Sequence, residues 1–600
     1  MAAEFANHVF DYLIVGGGTA GLAVAARLSQ LPYLTVGVIE AGPAALDDPA
    51  INIPGRYGET IGSRYDWQFE TVSQSGLQGR SLSWPRGKVL GGTSALNFMA
   101  WNRGNREDYD AWEELGNEGW GWEGLLPFFK QSEAFHPPDA SHQEQFRSYY
   151  DAVAHGSDGP IQTSHIREYG PAHQFWHQTL NNLSVDTSKD SLSGSNTGAW
   201  NLIATIDPKT QSRSYAANAY YLPFSQRPNL FVLTEATVEE ILLEKEEDEW
   251  VARGARVVCD GEEFTVNVSR EVILSAGSVQ SPQLLELSGI GNRDVLEAAG
   301  IPVKLHNPNV GENLQEHMMT ATIFEILPSI ATRDDLQTDS ALAEAANTEY
   351  ENSQTGPLTV LACSVSYSPL SQFTSPEELS TLHSRAESIA KESGLPRDTI
   401  LARQFQPNTK LGQVEFLFDV GNWSPFFKSE PGKKYATMLQ MLQYPFSKGS
   451  IHIPPRTGDR RISVNDKPII DPRYYLGDGK IDFDIMKMAQ RFTDRICSTE
   501  PLSSIILSRV FPPVAEGVED EFDEYVRNYT ITDWHPVGTC AMGGSTGEKT
   551  GVVDERLRVY GVRGLRVIDA SIMPLQVSAH IQATVYAIAE KGAAMILEDA

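Results

Sequence analysis

Tyr12-Leu13-Ile14-Val15-Gly16-Gly17-Gly18-Thr19-Ala20-Gly21 decides how this chain begins to fold. The four residues before the glycines are apolar and partly β-branched, the composition of a buried parallel strand. Gly16, Gly18 and Gly21 fit G-x-G-x-x-G. The first glycine permits a tight turn, the second lets backbone approach a pyrophosphate, and the third lets helix pack closely on strand. Ala20 to Leu28 reads as a helix, and Thr35 to Ile39 as a second strand ending on Glu40. Free N–H groups at the helix start, with the helix dipole, attract phosphates. Glu40 follows the last glycine by about 20 residues, where a carboxylate accepts from a ribose hydroxyl. Strand, glycine turn, helix, strand and terminal acid together predict a Rossmann-like dinucleotide site. They do not choose between NAD and FAD.

A chain of 600 residues is too long for one hydrophobic core, so at least two domains are expected. The formal net charge of −30 argues against nucleic acid or an anionic membrane as partner, because phosphates repel such a surface. Four cysteines, Cys259, Cys363, Cys497 and Cys540, make no disulfide framework and no C-x-x-C. No apolar run is long enough to span a membrane. Met1 to Phe10 lacks the basic and apolar regions of a signal peptide. A complete chain is therefore expected in the cytoplasm, and a chain whose signal has been removed outside the cell.

Further along, Ala41 to Thr71 is rich in Gly, Pro and Asp and reads as an extended excursion. Trp112 to Lys130 reads as one helix, and residues 136 to 200 as polar and loop-rich. Strand-like runs return at Asn229–Leu233, Val238–Leu243, Ala252–Cys259, Glu263–Val268 and Glu271–Leu274, a meander feeding back into a parallel sheet. A helix starts after Gly277. Residues 330 to 410 are helical and charged and suit a cap, and Gln413 to Ile453 suggests an antiparallel sheet. Leu565-Arg566-Val567-Ile568-Asp569 is again a buried strand, followed by a helix from about Gln582. A βαβ unit completed by the far C-terminus implies a discontinuous domain. The expected fold is an α/β dinucleotide-binding domain over 1–165, 205–320 and 530–600, with an α+β substrate domain over 166–204 and 321–529 that carries the antiparallel sheet and helical cap.

Several stretches, in order, resemble the glucose–methanol–choline (GMC) family of flavoprotein oxidoreductases. They are Arg86-Gly87-Lys88-Val89-Leu90-Gly91-Gly92-Thr93-Ser94-Ala95-Leu96-Asn97, the run from Gly277 to Gly291, Val310 to His317, His535-Pro536-Val537-Gly538-Thr539, and Val567 to Ser571. Glu316 stands where that family more often has Asp. Aryl-alcohol oxidases and fungal glucose oxidases and dehydrogenases are the most similar in pattern. The resemblance selects FAD. It implies an FAD contact surface made of Gly16, Gly18, Thr19, Ala20, Gly21, Glu40, Ala41, Arg86, Val89, Gly91, Gly92, Thr93, Asn97, Phe98, Met99, Ala100, Val238, Asp569, Ala570, His580, Gln582 and Ala583. Some members tether FAD through a histidine in the Arg86 loop. No histidine lies between Arg86 and Arg103, so non-covalent FAD is expected.

His535 precedes Pro536, which biases it to an extended backbone. A neutral imidazole suits abstraction of an alcohol proton. The resemblance makes His535 the base and sets His580 beside it at the flavin, one imidazole accepting the proton and the other holding the alkoxide oxygen. The helix near Gln582 is expected to point its positive end at the flavin. The implied reaction is oxidation of an alcohol CH–OH to aldehyde or ketone, with hydride passing to flavin N5 and reoxidation by oxygen or a quinone-type acceptor. The alternative is a non-redox dehydratase or cyclase using the same two histidines. Phe98, Trp101, Phe416, Phe418, Trp423, Phe426, Phe427 and Trp534 are candidates for an aromatic funnel, favouring an aromatic or apolar alcohol over a sugar, although core packing is the better account of most. No metal site is expected. His173 and His177 at i, i+4 lack a third ligand, Gly543 to Gly547 fits G-x-S-x-G without a preceding strand, and the acidic run Glu240 to Asp248 reads as a solvated hairpin tip.

Overall fold

The computed structural model describes residues 2–513 and 522–599. The strand Val9–Val15 is the centre of the first sheet, and the helix Thr19–Leu28 follows it directly. Val36–Ile39 pairs with it in parallel on one side, and the long strand Glu262–Leu274 on the other. Across the sheet the order is Leu230–Leu233, Val36–Ile39, Val9–Val15, Glu262–Leu274, Glu249–Cys259, Ala236–Glu246. The last three form an antiparallel meander. Leu565–Val567 pairs in parallel with Val272 to Leu274. The chain's far end therefore completes the sheet that its beginning opens. The C-terminal helix Gln582–Asp599 packs on Thr19–Leu28, where Glu590 receives Arg27 Nε at 2.6 Å.

The second sheet is antiparallel. Its order is Ile506–Phe511, Met318–Ile326, Lys434–Leu442, Val414–Val420, Ser364–Ser368, Gly198–Asn201, with Ile531–Thr532 added beside Met318. The amphipathic helix Lys480–Cys497 covers one face, setting Phe492 against Phe416 at 5.2 Å. Ser340–Ser353, Pro376–Ser393 and Pro396–Gln404 supply the helices of the 330–410 region. Among the described residues no helix is long and apolar enough to cross a membrane.

Three local expectations change. Trp112 to Lys130 is two helices, Arg106–Glu114 and Trp122–Ser132. Gly116 at φ +99° and Gly119 at φ +78° turn the chain between them, a conformation that a continuing helix excludes. The runs at 263–268 and 271–274 are one strand, Glu262–Leu274, with a register shift where it passes Phe10 and Tyr12. Residues 136 to 200 hold the helices Ala140–Phe146 and His173–Asn182 and the strands Ile161–His165 and Gly198–Asn201. Several of their polar residues, His165, His173 and His177 among them, are buried, which hid the periodicity.

Candidate active site

An elongated cavity runs from the first glycine turn to the two histidines. Its walls include Gly16, Gly18, Thr19, Ala20, Glu40, Ala41, Arg86, Gly92, Thr93, Asn97, Phe98, Ala100, Val238, Asp569, Ala570, His580 and Gln582. Gly21, Val89, Gly91, Met99 and Ala583 stand behind this wall. A Cβ at Gly21 would lie 2.0 Å from the Gly16 carbonyl, and one at Gly91 would meet the Tyr215 ring at 2.7 Å, so these two glycines serve close packing. Val89, Met99 and Ala583 are fully buried in the packing around it. Ser275 to Gln280 adds a wall that residue-by-residue matching did not single out.

The glycine cradle fits a dinucleotide on its own geometry. Gly16 has φ +103°, and a Cβ there would strike Ser275 O at 2.5 Å. Gly92 has φ +54° and sits against Gly18, where a Cβ would come within 2.8 Å. Two backbone turns thus approach each other with no side chain between them. The Glu40 carboxylate accepts from Gly17 N at 2.9 Å and Gly42 N at 2.8 Å, which fixes it at the end of its strand. Burial pushes it up to about 7 against those two bonds. Asp569 is committed internally: it accepts from Gly277 N at 2.8 Å, Ser281 Oγ at 2.6 Å and Ser571 N at 2.8 Å. It clasps the C-terminal strand to the start of the helix Gly277–Leu287. Asn97 Nδ2 donates to Gln582 Oε1 at 2.5 Å, tying the Arg86 loop to the C-terminal helix, whose first turn lines the cavity.

His535 lies outside helix and strand, as the following proline favours. The stretch 310–317 holds its loop. Gln315 and Val537 exchange backbone bonds at 3.1 and 3.0 Å. Glu316 Oε1 accepts from Asp533 N at 3.2 Å and from His535 N at 3.1 Å. Arg86 Nη2 donates to Trp534 O at 2.5 Å from behind. Burial pushes Glu316 up to about 8 and Arg86 down to about 10. His535 Nδ1 meets His317 Nδ1 at 3.1 Å and lies 3.2 Å from Asp533 Oδ2. Among the described residues His317, Asp533 and His535 bring their donor atoms within 4.8 Å of one another. The bond between the two imidazoles accounts for that closeness without an ion.

The rings of His535 and His580 stand 5.0 Å apart at 84°. Their environments differ. Burial and the charge of His580 hold His535 well below its ordinary value, so it is neutral at pH 7. Burial also opposes charge on His580, but Glu415, bonded to its Nε2 at 3.1 Å, outweighs it and pushes the imidazole up to about 9. Glu415 belongs to the strand Val414–Val420 and is held by Tyr367 Oη at 2.6 Å. Asn102 Oδ1 accepts the His580 backbone N–H at 3.1 Å. Glu415, His317, Asp533 and Tyr367 were not among the expected site residues, and no local pattern marks them.

A smaller cavity adjoins this pair. Leu202, Met319, Leu361, Leu417, Leu439 and Met441 line it with Tyr57, Phe98, Trp423 and Trp534, and its inner end holds Asp533 and His580. Of the aromatic candidates, Phe98, Trp423 and Trp534 line it. Trp101, Phe416, Phe418, Phe426 and Phe427 pack elsewhere, for example Phe418 stacked on Trp176 at 6.0 Å. His173 and His177 are buried and bonded to Ser364 and Asn201. Ser545 lies in a surface turn and donates to Leu115 O at 3.3 Å.

Residues 10–319 match the sequence model of the GMC oxidoreductase N-terminal region, and residues 445–589 that of its C-terminal region. Dehydrogenase mpl7 of Monascus purpureus is 38% identical, with 99% of this chain and 97% of that protein covered. Pyranose dehydrogenase 3 of Leucoagaricus meleagris is 32% identical, with 98% of this chain and 92% of that protein covered. Among solved structures, an FAD-dependent oxidoreductase from Chaetomium thermophilum superposes with a TM-score of 0.88 at 28% identity, covering 98% of this chain and 99% of that one. A fungal aryl-alcohol oxidase does so with a TM-score of 0.83 at 26% identity, covering 98% and 99%. With a matching cradle, a matching histidine loop and these relatives over almost its full length, the chain belongs to the GMC oxidoreductases and is an FAD-dependent oxidoreductase.

Proposed function

We propose that the protein oxidises the CH–OH group of an aromatic or apolar alcohol to the aldehyde or ketone, with His535 as base and His580 as the cation that holds the oxygen. The observation that carries this reading is the opposed protonation of two touching imidazoles at the junction of the two cavities. A bond between two Nδ1 atoms requires one proton, and with that proton on His535 the Nε2 lone pair is left to take the hydroxyl proton. His580, kept charged by Glu415, stabilises the oxygen as its proton leaves. Bound FAD supplies the hydride acceptor. Gly16, Gly18, Glu40, Gly92 and Thr93 would hold its dinucleotide part, and Asn97, Ala570 and Gln582 its reactive end. Among the described residues the histidines that line the cavity are His535 and His580, both of which the reaction uses, which supports non-covalent FAD. The apolar lining of the smaller cavity supports an apolar substrate body over a sugar. Oxygen or a quinone-type acceptor would take up the electrons. The oxidase and dehydrogenase names of the relatives favour redox turnover over the cyclase alternative.

A panel of alcohols mixed anaerobically with holoenzyme tests this reading. Bleaching of the flavin absorbance is expected with benzylic alcohols. Product without bleaching would establish the non-redox alternative instead, and peroxide formation against dye reduction separates the two acceptors.

A further inference from the structure

Buried carboxylates in this protein are normally saturated. Asp108 accepts from Ser578 N, Ser578 Oγ, Tyr444 Oη and Asn105 N, at 2.8, 2.6, 2.7 and 3.0 Å. Asp482 accepts from Phe446 N and Ser447 N at 2.9 and 2.7 Å. Glu316 leaves its Oε2 without a partner, but its Oε1 accepts from Asp533 N and His535 N. Asp533 lacks even that. It is 6% exposed, and its Oδ2 has no hydrogen-bond partner. His535 Nδ1 is 3.2 Å away but is directed at His317, not at the carboxylate. An unmatched buried acceptor of this kind loses its hydration with nothing in return, so its persistence requires an explanation.

Its position supplies one. Asp533 lines both cavities, so it faces the place where the carbinol must sit. Around it the smaller cavity is aliphatic and aromatic, its other polar groups being His580, the Tyr57 hydroxyl and the indole N–H groups of Trp423 and Trp534. The indole N–H of Trp423 is already given to Asp419 at 2.9 Å. We propose that Asp533 is a substrate-recognition group, and that the alcohol carries a second hydroxyl on the atom next to its carbinol-bearing carbon, donated to the Asp533 carboxylate. An aryl ring with a hydroxyl ortho to the hydroxymethyl group meets this requirement. It sets one oxygen at His535 and the neighbouring one at Asp533 and leaves the ring to the apolar wall. A neutral hydroxyl fits better than an ammonium group. His580 is already a cation beside the site, and the Arg333 guanidinium already covers the Tyr57 ring at 3.7 Å. Asp533 itself is raised to about 6, chiefly by burial, so it accepts as a carboxylate at pH 7 to 8.

This inference rests on reading the smaller cavity as the substrate site. Its test compares benzyl alcohol with 2-hydroxybenzyl alcohol in wild-type, Asp533→Asn and Asp533→Ala holoenzyme. The readout is the ratio of anaerobic flavin-reduction efficiencies for the two alcohols within each protein, which cancels any loss of folded enzyme. Wild type should favour the hydroxylated alcohol by roughly 10- to 100-fold, the scale of a hydrogen bond to a charged group. Asp533→Ala should bring the ratio to about one. A wild-type ratio near one, a ratio unchanged in Asp533→Ala, or preference for 2-(aminomethyl)benzyl alcohol overturns the proposal. An equal loss for both alcohols assigns Asp533 to the electrostatics of His535 alone and overturns it too. Titration calorimetry on reduced, anaerobic holoenzyme reads the same ratio as Kd values without turnover. If no alcohol reduces the flavin yet that Kd preference is present and vanishes in Asp533→Ala, alcohol oxidation falls and the recognition site stands.

Discussion

Histidines are buried together in two regions of this molecule, and only one region has the makings of an active site. In the first, His155 lies between Glu133 at 3.2 Å and Asp190 at 3.0 Å and stacks on Phe135 at 3.8 Å. Burial pushes its neighbours His165, His173 and His177 down to about 3, 3 and 4. In the second, His317 is pushed down to about 3, His535 is held well below its ordinary value and His580 is pushed up to about 9. Burial and perturbed protonation therefore do not separate the two. Access does: none of the first group lines either cavity, whereas His535 and His580 do. The carboxylates differ as well. Glu133 is saturated by Arg103, His155, Trp101, Thr163 and Gly156, whereas Asp533 waits for a donor. A shifted group marks a site only where it also meets a cavity.

The contrast breaks most sharply at His535. His535→Ala should slow anaerobic flavin reduction by about 10²- to 10⁴-fold while the visible spectrum still reports bound FAD. His177→Leu, in the other region, should leave the rate per flavin within about twofold. Unchanged reduction in His535→Ala removes it from the role of base.

Glu133 carries the next effect, on folding. Glu133→Leu leaves the fully buried Arg103 without its 2.9 Å partner, which should cost about 3–5 kcal/mol in denaturant titrations. The pH profile per flavin should not move. A moved profile would join this region to the site.

Glu415→Gln should act on the profile itself. His580 is held up to about 9 by that carboxylate, so kcat/KM should fall as pH rises through about 9 in wild type. In the variant the alkaline limb should shift down by about a unit or more, because the cation loses its partner. A limb that stays in place argues against a charged His580.

The smallest effect is on acid stability. His165, His173 and His177 have folded values below the ordinary 6.5, so below that pH the unfolded chain binds protons that the folded chain refuses. Their contribution is present above pH 6.5 and is lost as pH falls toward about 3 to 4. His177→Gln should flatten the slope of unfolding free energy against pH over that window by a fraction of one proton. An unchanged slope would place the acid sensitivity elsewhere.

The opening glycine turn was legible because its physics is short-range. Tight turn, helix start and strand end are set by neighbours in the chain, and the structure keeps Gly16, Gly18 and Glu40 together as read. The H-P-V-G-T loop and the C-terminal strand were legible through the resemblance, since both keep their local form. Glu415 was not. Its strand, Val-Glu-Phe-Leu-Phe-Asp-Val, is buried on both faces, so alternation cannot show which residues face a site. The sheet register that sets Glu415 opposite Met441 brings it to a histidine far away in the chain. Asp533 stands two residues from the base, yet its lack of a partner is a property of everything packed around it. Local sequence determined the strand, glycine turn and helix that open the chain, and the resemblance named the two imidazoles. Their opposite charge states, and the carboxylate left open beside them, were decided only when two sheets closed on one another, because protonation follows burial and neighbouring charge, which local sequence does not encode.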